Sequence, residues 1–130
     1  MKRIILDTNF LLIPLQFRVD IFSEISRICN FNYKLYIYDN SINELRNIIE
    51  KQSSKHKKAA QFALKLIKLK NIEIIKSDQK DVDSLILENL DKNTIIATQD
   101  INLRKELLKK KVSLIMLRQK KYLLLLEKGL

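Results

Sequence analysis

Short runs of consecutive apolar residues recur along the chain, separated by stretches where apolar positions return every three or four residues. The runs are Ile4-Ile5-Leu6, Leu35-Tyr36-Ile37-Tyr38, Ile72-Glu73-Ile74-Ile75, Thr94-Ile95-Ile96-Ala97-Thr98 and Val112 to Leu117. Runs of this kind read as strands buried on both faces. The intervening stretches read as helices. Asp20 starts one that continues through Arg27, with Ile21, Phe22, Ile25 and Ile28 at helical spacing. Thr8 and Asn9 are placed to cap a helix after the first strand, which Pro14 bends or ends early. Ser41 and Glu44 fit a capping box for a helix running toward Lys51, and Ser53-Ser54 reads as a break. From about Lys55 to Leu69 a longer helix carries an apolar stripe of Ala59, Phe62, Ala63, Leu66 and Leu69, with Lys57, Gln61, Lys65 and Lys68 on another face. A helix from about Asp81 to Leu90 and a basic helix from Asp100 through Lys110 follow, and Tyr122 to Leu126 reads as a final helical turn. Alternation of this type predicts one α/β domain over residues 1–130, in three layers: a parallel sheet of about five strands with helices on both faces.

Composition narrows the function classes. Gly and Pro occur once each, which argues against repeats and long flexible linkers. No apolar run approaches the length of a membrane span, and the apolar stretch near Met1 is too short for a signal peptide. One cysteine, Cys29, excludes an internal disulfide, and with the single histidine, His56, it excludes a Cys/His zinc cage within one chain. A reducing, cytoplasmic compartment is the expectation. The net charge of +10 is uneven: residues 41–76 carry 9 basic and 3 acidic side chains, residues 77–100 carry 2 and 6, and residues 101–130 carry 9 and 2. A basic protein with one acidic segment points to a polyanionic partner and a separate cation site, against the plainer reading of a lysine-rich soluble surface.

The acids fall at informative places. In open α/β sheets, ligands gather beyond the carboxyl ends of the strands. Asp7 closes the first strand and Asp100 lies just past the fourth. Glu44 lies one turn into the helix after the second strand, and Asp83 lies in the first turn of the helix after the third. Carboxylates brought together there repel one another and raise each other's pKa values unless a cation shields them. An all-oxygen set suits Mg²⁺ or Mn²⁺, and a pair of such ions can activate a water and stabilise the leaving oxygen of a phosphodiester. Each acid also has a plainer role open to it. Asp7 and Asp100 can be helix caps, Glu44 the capping-box partner of Ser41, and Asp83 a helix-start acid like Asp81.

The order Leu6-Asp7-Thr8-Asn9, Asn43-Glu44-Leu45, Asp83-Ser84-Leu85-Ile86 and Thr98-Gln99-Asp100 resembles the PIN-domain nucleases. The segment Asp7 to Pro14 with Gln16-Phe17, and the tail Leu117 to Tyr122, look most like stand-alone archaeal proteins related to small-subunit rRNA-processing PIN nucleases. That resemblance implies a sheet ordered 3-2-1-4-5, metal held by Asp7, Glu44, Asp83 and Asp100, and single-stranded RNA as substrate. It places Thr8, Asn9 and Thr98 beside the metal-holding acids. Three positions depart from the pattern. Ser84 stands where relatives often have a second Asp, Gln99 where Asn is common, and Asn102 where toxin-type members often have an acid.

For RNA the candidate phosphate contacts are Arg46, Lys57, Lys58, Lys65, Lys68, Arg104 and Lys105, with Lys109 to Lys111. Tyr36, Tyr38 and Phe17 are candidates to stack bases, although core packing is the commoner fate of such residues. His56 sits among lysines and reads as solvated, and Cys29 reads as a small buried side chain. The leucines 123–126 either cover a sheet edge or join two chains into a homodimer, as PIN-like proteins often do. The expectation is a Mg²⁺- or Mn²⁺-dependent endoribonuclease acting in pre-rRNA processing, with RNA and ribosome-assembly proteins as partners. Its rivals are a toxin ribonuclease of the VapBC kind, which requires an antitoxin, and a non-catalytic RNA-binding ribosome-assembly module.

Overall fold

The computed structural model describes residues 1–51, 54–78 and 80–127. Five strands are parallel: β1 (Lys2–Leu6), β2 (Tyr33–Tyr38), β3 (Glu73–Ile75), β4 (Thr94–Ala97) and β5 (Ser113–Arg118). They lie in the expected order, β3-β2-β1-β4-β5. A sixth strand, β6 (Tyr122–Leu126), pairs antiparallel with β5 at the edge. The helices are α1 (Ile13–Phe17), α2 (Ile21–Ile28), α3 (Asp39–Lys51), α4 (Ser54–Leu69), α5 (Val82–Glu88) and α6 (Ile101–Lys109). A 3-10 segment, Thr8–Leu12, leads into α1.

The buried stretches of the central strands, Ile4 to Leu6 and Ile95 to Ala97, are apolar at every position because both faces are covered. Ile4, Leu6, Ile95, Ala97 and Ile115 share one core with residues of α1 to α4, among them Ile13, Ile25, Leu45, Ala60 and Ala63. The alternate residues Ile5, Ile96, Leu114 and Met116 share the other with Val82, Leu85 and Ile86 of α5 and Leu103 and Leu107 of α6. Side chains on a strand alternate faces, so each three-residue apolar run feeds both layers. Among the described residues, no helix is long and apolar enough to cross a membrane.

Several local expectations are corrected. Tyr122–Leu126 is a strand, not a helical turn. The hairpin that returns it turns on Gln119 and Lys120, with φ of 53° and 56°, and Lys121 N–H donates to the Arg118 carbonyl at 3.0 Å. Two left-handed residues make the tight turn that matches strand twist, a place usually filled by Asn-Gly. No such pair is present, and four successive leucines hide the alternation in which Leu123 is buried and Leu124 exposed. The leucines do cover the β5 edge. The outward backbone of Leu123 is itself covered by α2, since its N–H donates to Glu24 at 2.9 Å and its carbonyl accepts from Arg27 at 3.3 Å.

Pro14 does not end a helix. It sits in the first turn of α1, where its missing N–H costs nothing, just after the 3-10 segment ends at Leu12. The cap of the 3-10 segment is Asp7 rather than Thr8 or Asn9. The capping box of Ser41 and Glu44 does not form, because α3 begins at Asp39, directly after β2, and Ser41 is wholly buried inside the helix. The apolar stripe of α4 is rotated from the expected one: Ala59, Ala60, Ala63 and Ile67 are buried, whereas Phe62 and Leu69 are exposed. The expected break at Ser53-Ser54 falls at residues 52–53, outside the described residues, and α4 begins at Ser54.

Candidate functional site

The sheet order puts β1 and β4 side by side, with Leu6 opposite Ala97. Their carboxyl ends therefore release Asp7 and Thr98 at adjacent points. Asp7 is buried, at 4% exposure. Its Oδ1 accepts the Thr8 N–H at 2.8 Å, and its Oδ2 accepts the Thr98 hydroxyl at 2.7 Å. The Thr98 oxygen in turn accepts the Asp100 N–H at 3.0 Å. A matching relay serves Glu44. The Thr8 hydroxyl donates to Glu44 Oε1 and lies 2.8 Å from Ser41 Oγ, so the wholly buried Ser41 hydroxyl donates to Thr8. Two threonines thus orient two carboxylates from two different βα junctions.

The remaining acids stand at helix starts. Asp100 caps α6, its Oδ1 accepting from Asn102 N–H at 2.9 Å and Leu103 N–H at 3.1 Å. Asp83 lies in the first turn of α5 but does not cap it; Asp81 does, by accepting from Ser84. The plain capping reading thus holds for Asp100, holds in part for Asp7 and fails for Glu44, while Asp83 does stand as an acid in the first turn of its helix.

Electrostatics place the four acids in one region. Burial is the largest influence on Asp83, followed by the like charges of Asp7, Asp100, Asp81 and Glu44, and together they push its carboxyl up to about 6. Asp7 is also raised, chiefly by burial. The hydrogen bonds from Thr98 and Thr8 oppose the rise, and the charges of Glu44 and Asp100 add to it. Among the described residues, ion pairs engage Glu24, Glu73, Asp78, Glu88, Asp91 and Glu106, and none engages these four. The donor set is therefore all oxygen, negatively charged and uncompensated, which fits a hard divalent cation. Among the described residues, no three His, Cys, Asp or Glu side chains stand close enough together to hold a metal ion as they are placed.

Beside Asp100 a cavity of about 380 Å³ opens between α1, α4 and the β4–α6 junction. Asn9, Gln16, His56 and Gln99 supply its polar lining, and Leu12 and Ile48 its apolar walls. Gln99 is held there by its side-chain N–H, which donates to the Asn9 carbonyl at 3.2 Å. Gln16 and Gln99 fall within the segments that carry the family resemblance, but nothing in the sequence indicated that they share a cavity with His56, because the three come from separate elements.

The match between this chain and known proteins is nearly full length. The family model for the PIN like domain matches residues 4–120. The chain belongs to the PIN-like domain family. A sequence relative of this PIN-like chain is ribonuclease VapC4 of Methanocaldococcus jannaschii, 29% identical over 124 residues, which cover 94% of this chain and 95% of the relative. Among solved structures, the PIN domain endonuclease Utp24 superposes with a TM-score of 0.79 at 20% identity, covering 98% of this chain and 95% of the other. VapBC2 from Rickettsia felis, solved bound to a DNA fragment from its promoter, superposes with a TM-score of 0.55 at 18% identity, covering 89% and 99%. These two structural likenesses establish the PIN-like fold.

The other candidates separate. Arg46, Lys57, Lys58, Lys65, Lys68 and Lys105 are exposed, and Arg104 is half-buried, with its guanidinium 3.4 Å from the Met116 sulfur. Lys110 and Lys111 line a different cavity with Lys2 and Asn93, at the amino ends of the strands and away from the acids. Tyr38 is buried, with its hydroxyl donating to the Leu85 carbonyl at 3.3 Å, so it does not stack bases. Tyr36 lies under the Arg3 guanidinium at 5.8 Å, and Phe17 packs against the core. Burial pushes the Cys29 thiol up to about 11, which leaves it inert as a nucleophile.

Proposed function

We propose that this chain is a divalent-metal-dependent endoribonuclease that hydrolyses RNA phosphodiester bonds. One observation carries the reading: a buried Asp7, oriented by Thr98 and in no ion pair among the described residues, stands at the carboxyl end of β1 among three more acids that are likewise unpaired there. The full-length relative named a ribonuclease supports it.

Asp7, Glu44, Asp83 and Asp100 would hold Mg²⁺ or Mn²⁺. Such an ion supplies charge neutralisation and activation of water when bound. The protein's part is positional. Thr98 and Thr8 hold the Asp7 and Glu44 carboxylates in fixed rotamers by donating their hydroxyl protons, so the acids need not reorganise when substrate arrives. Water attacks phosphorus and the bridging oxygen of the neighbouring nucleotide leaves. No side chain becomes covalently attached.

Within the cell, the preferred role is pre-rRNA processing, which rests on the resemblance of the Asp7 to Phe17 segment and of the tail. A toxin role is favoured by one specific observation, the VapC name of the sequence relative. Incubating single-stranded and structured RNA with the wild-type protein and with Asp7→Asn, in Mn²⁺ or in EDTA, tests the activity. Cleavage only by wild type with Mn²⁺ is expected, and cleavage by Asp7→Asn at the wild-type rate removes Asp7 from the reaction. Expression in a host cell separates the roles: growth arrest relieved by Asp7→Asn supports the toxin.

A further inference from the structure

Beside Asp100 lies a cavity that adjoins a second one through Gln16. The first is the 380 Å³ cavity of Asn9, Gln16, His56, Gln99 and Asp100. The second, of about 400 Å³, is lined by Gln16, Arg18, Lys55 and Lys58 with Leu15 and Ala59. Lys55 and His56 are consecutive on α4, so one helix turn borders both. The chemistry of the two differs sharply. The first contains three carboxamides, an imidazole and the Asp100 carboxylate, and no cationic Lys or Arg. Its acidic wall disfavours a phosphate, whereas carboxamides pair with the edges of nucleobases and an imidazole can stack on their faces. Its size falls in the range of small-molecule sites. The second cavity has three cations, and among the described residues none of them is engaged in an ion pair. Arg18 is itself the left-handed residue that ends α1, with φ of 54°.

We propose that these cavities seat one nucleotide of single-stranded RNA beside the scissile phosphate, its base in the carboxamide cavity and the next phosphate among Arg18, Lys55 and Lys58. The inference rests on the ribonuclease reading for its substrate, and it names residues that reading does not use. It also gives the strand a direction, from the acids across α1 to the start of α4. Lys65 and Lys68, further along α4, and Lys110 and Lys111, at the opposite end of the sheet, lie off this path.

The test is binding in EDTA, where no cleavage occurs, with the full chain and fluorescent homopolymers of A, C, G and U. The wild-type protein is expected to discriminate among them by about tenfold, within the range that a well-placed carboxamide–base pair provides. Gln16→Ala with Gln99→Ala flattens that preference. Arg18→Gln with Lys55→Gln and Lys58→Gln weakens all four alike and reduces the slope of log K against log salt by about 0.7, the value for one phosphate of a single strand. Equal wild-type affinity for the four homopolymers overturns the proposal, as does a preference that survives loss of both carboxamides or an unchanged salt slope. Thermal melts check folding. If the double carboxamide variant does not fold, His56→Ala, at an exposed helix position, is read in its place and is expected to lower affinity for every homopolymer relative to an abasic strand. Failure of the ribonuclease reading shows separately, as absence of cleavage in Mn²⁺, and leaves the binding result standing.

Discussion

The two ends of the β1–β4 pair each carry an aspartate beside a threonine, and the protein treats them oppositely. At the amino end, Asp91 accepts from the Thr94 hydroxyl at 2.9 Å and the Asn93 N–H at 2.8 Å, and Arg3 lies 3.3 Å away. It is exposed, and the Thr94 hydroxyl, the Asn93 N–H and the nearby cations hold its carboxyl below the usual range. At the carboxyl end, Asp7 also has a threonine hydroxyl and a backbone N–H, but it is buried, it faces acids in place of Arg3, and its carboxyl is raised. Hydrogen bonding is thus nearly matched between the two. Water and a counter-charge make the difference, and only the end that lacks both accumulates a repulsion that a cation would relieve.

The comparison can be broken most severely through activity. Asp7→Asn is expected to lower RNA cleavage by more than about a hundredfold, the upper end of what loss of a mere outer partner of a metal ligand costs. Asp91→Asn is expected to leave cleavage at the wild-type rate. A comparable loss in both variants, measured with the same RNA and Mn²⁺, makes the two ends equivalent and removes the distinction.

Next in size is the relay at Thr8. Thr8→Val preserves shape but leaves the buried Ser41 hydroxyl without its acceptor and Glu44 without its donor. A destabilisation of about 1–3 kcal/mol is expected by denaturant melts. Stability within experimental error of wild type shows that water replaces the relay.

The pH dependence of stability sharpens the contrast further. The Asp83 carboxyl is raised to about 6, so the folded state holds its proton more tightly than the unfolded chain does. This group therefore opposes folding increasingly as pH rises from the unfolded value, about 4, toward 6, and the cost persists above that. Asp83→Asn is expected to stabilise the metal-free protein at pH 7 by about 1 kcal/mol, after allowance for the solvent screening of a half-exposed carboxyl. The gain should vanish near pH 4. A gain that does not depend on pH points to helix propensity instead of charge.

The smallest effect belongs to Asp91, with the opposite sign. Its lowered pKa contributes stability above about pH 4 that is lost on acidification. Asp91→Asn is expected to cost about 0.2–1 kcal/mol at pH 7, as exposed ion pairs do. A stabilising Asp91→Asn overturns the account of the amino end.

Much of this was legible in the amino-acid order. Ile4-Ile5-Leu6 ending at Asp7, and Ile95-Ile96-Ala97 ending short of Asp100, announce buried strands with charged residues just beyond them. The patterning is short-range, and a parallel sheet requires it at every central strand. The β5–β6 hairpin was not legible, because Gln119 and Lys120 adopt a left-handed turn without the residues that favour one and Leu123 to Leu126 do not alternate. Glu44 illustrates an intermediate case. Its position one turn into α3 was readable, but its spacing from Ser41 suggested a capping box, whereas both residues bond to Thr8.

The sequence by itself determined the five parallel strands, the helices between them and the positions of the four acids at or after strand ends, since apolar period and helix starts are set by neighbours along the chain. Tertiary structure decided which acids lose water and which hydroxyls aim them. Thr98 meets Asp7 across 91 positions, and Thr8 meets Glu44 across 36. It also decided that Gln16, His56 and Gln99 share a cavity. Those contacts exist only because the strand order brings distant βα junctions to one edge, and no local propensity encodes a juxtaposition over that separation.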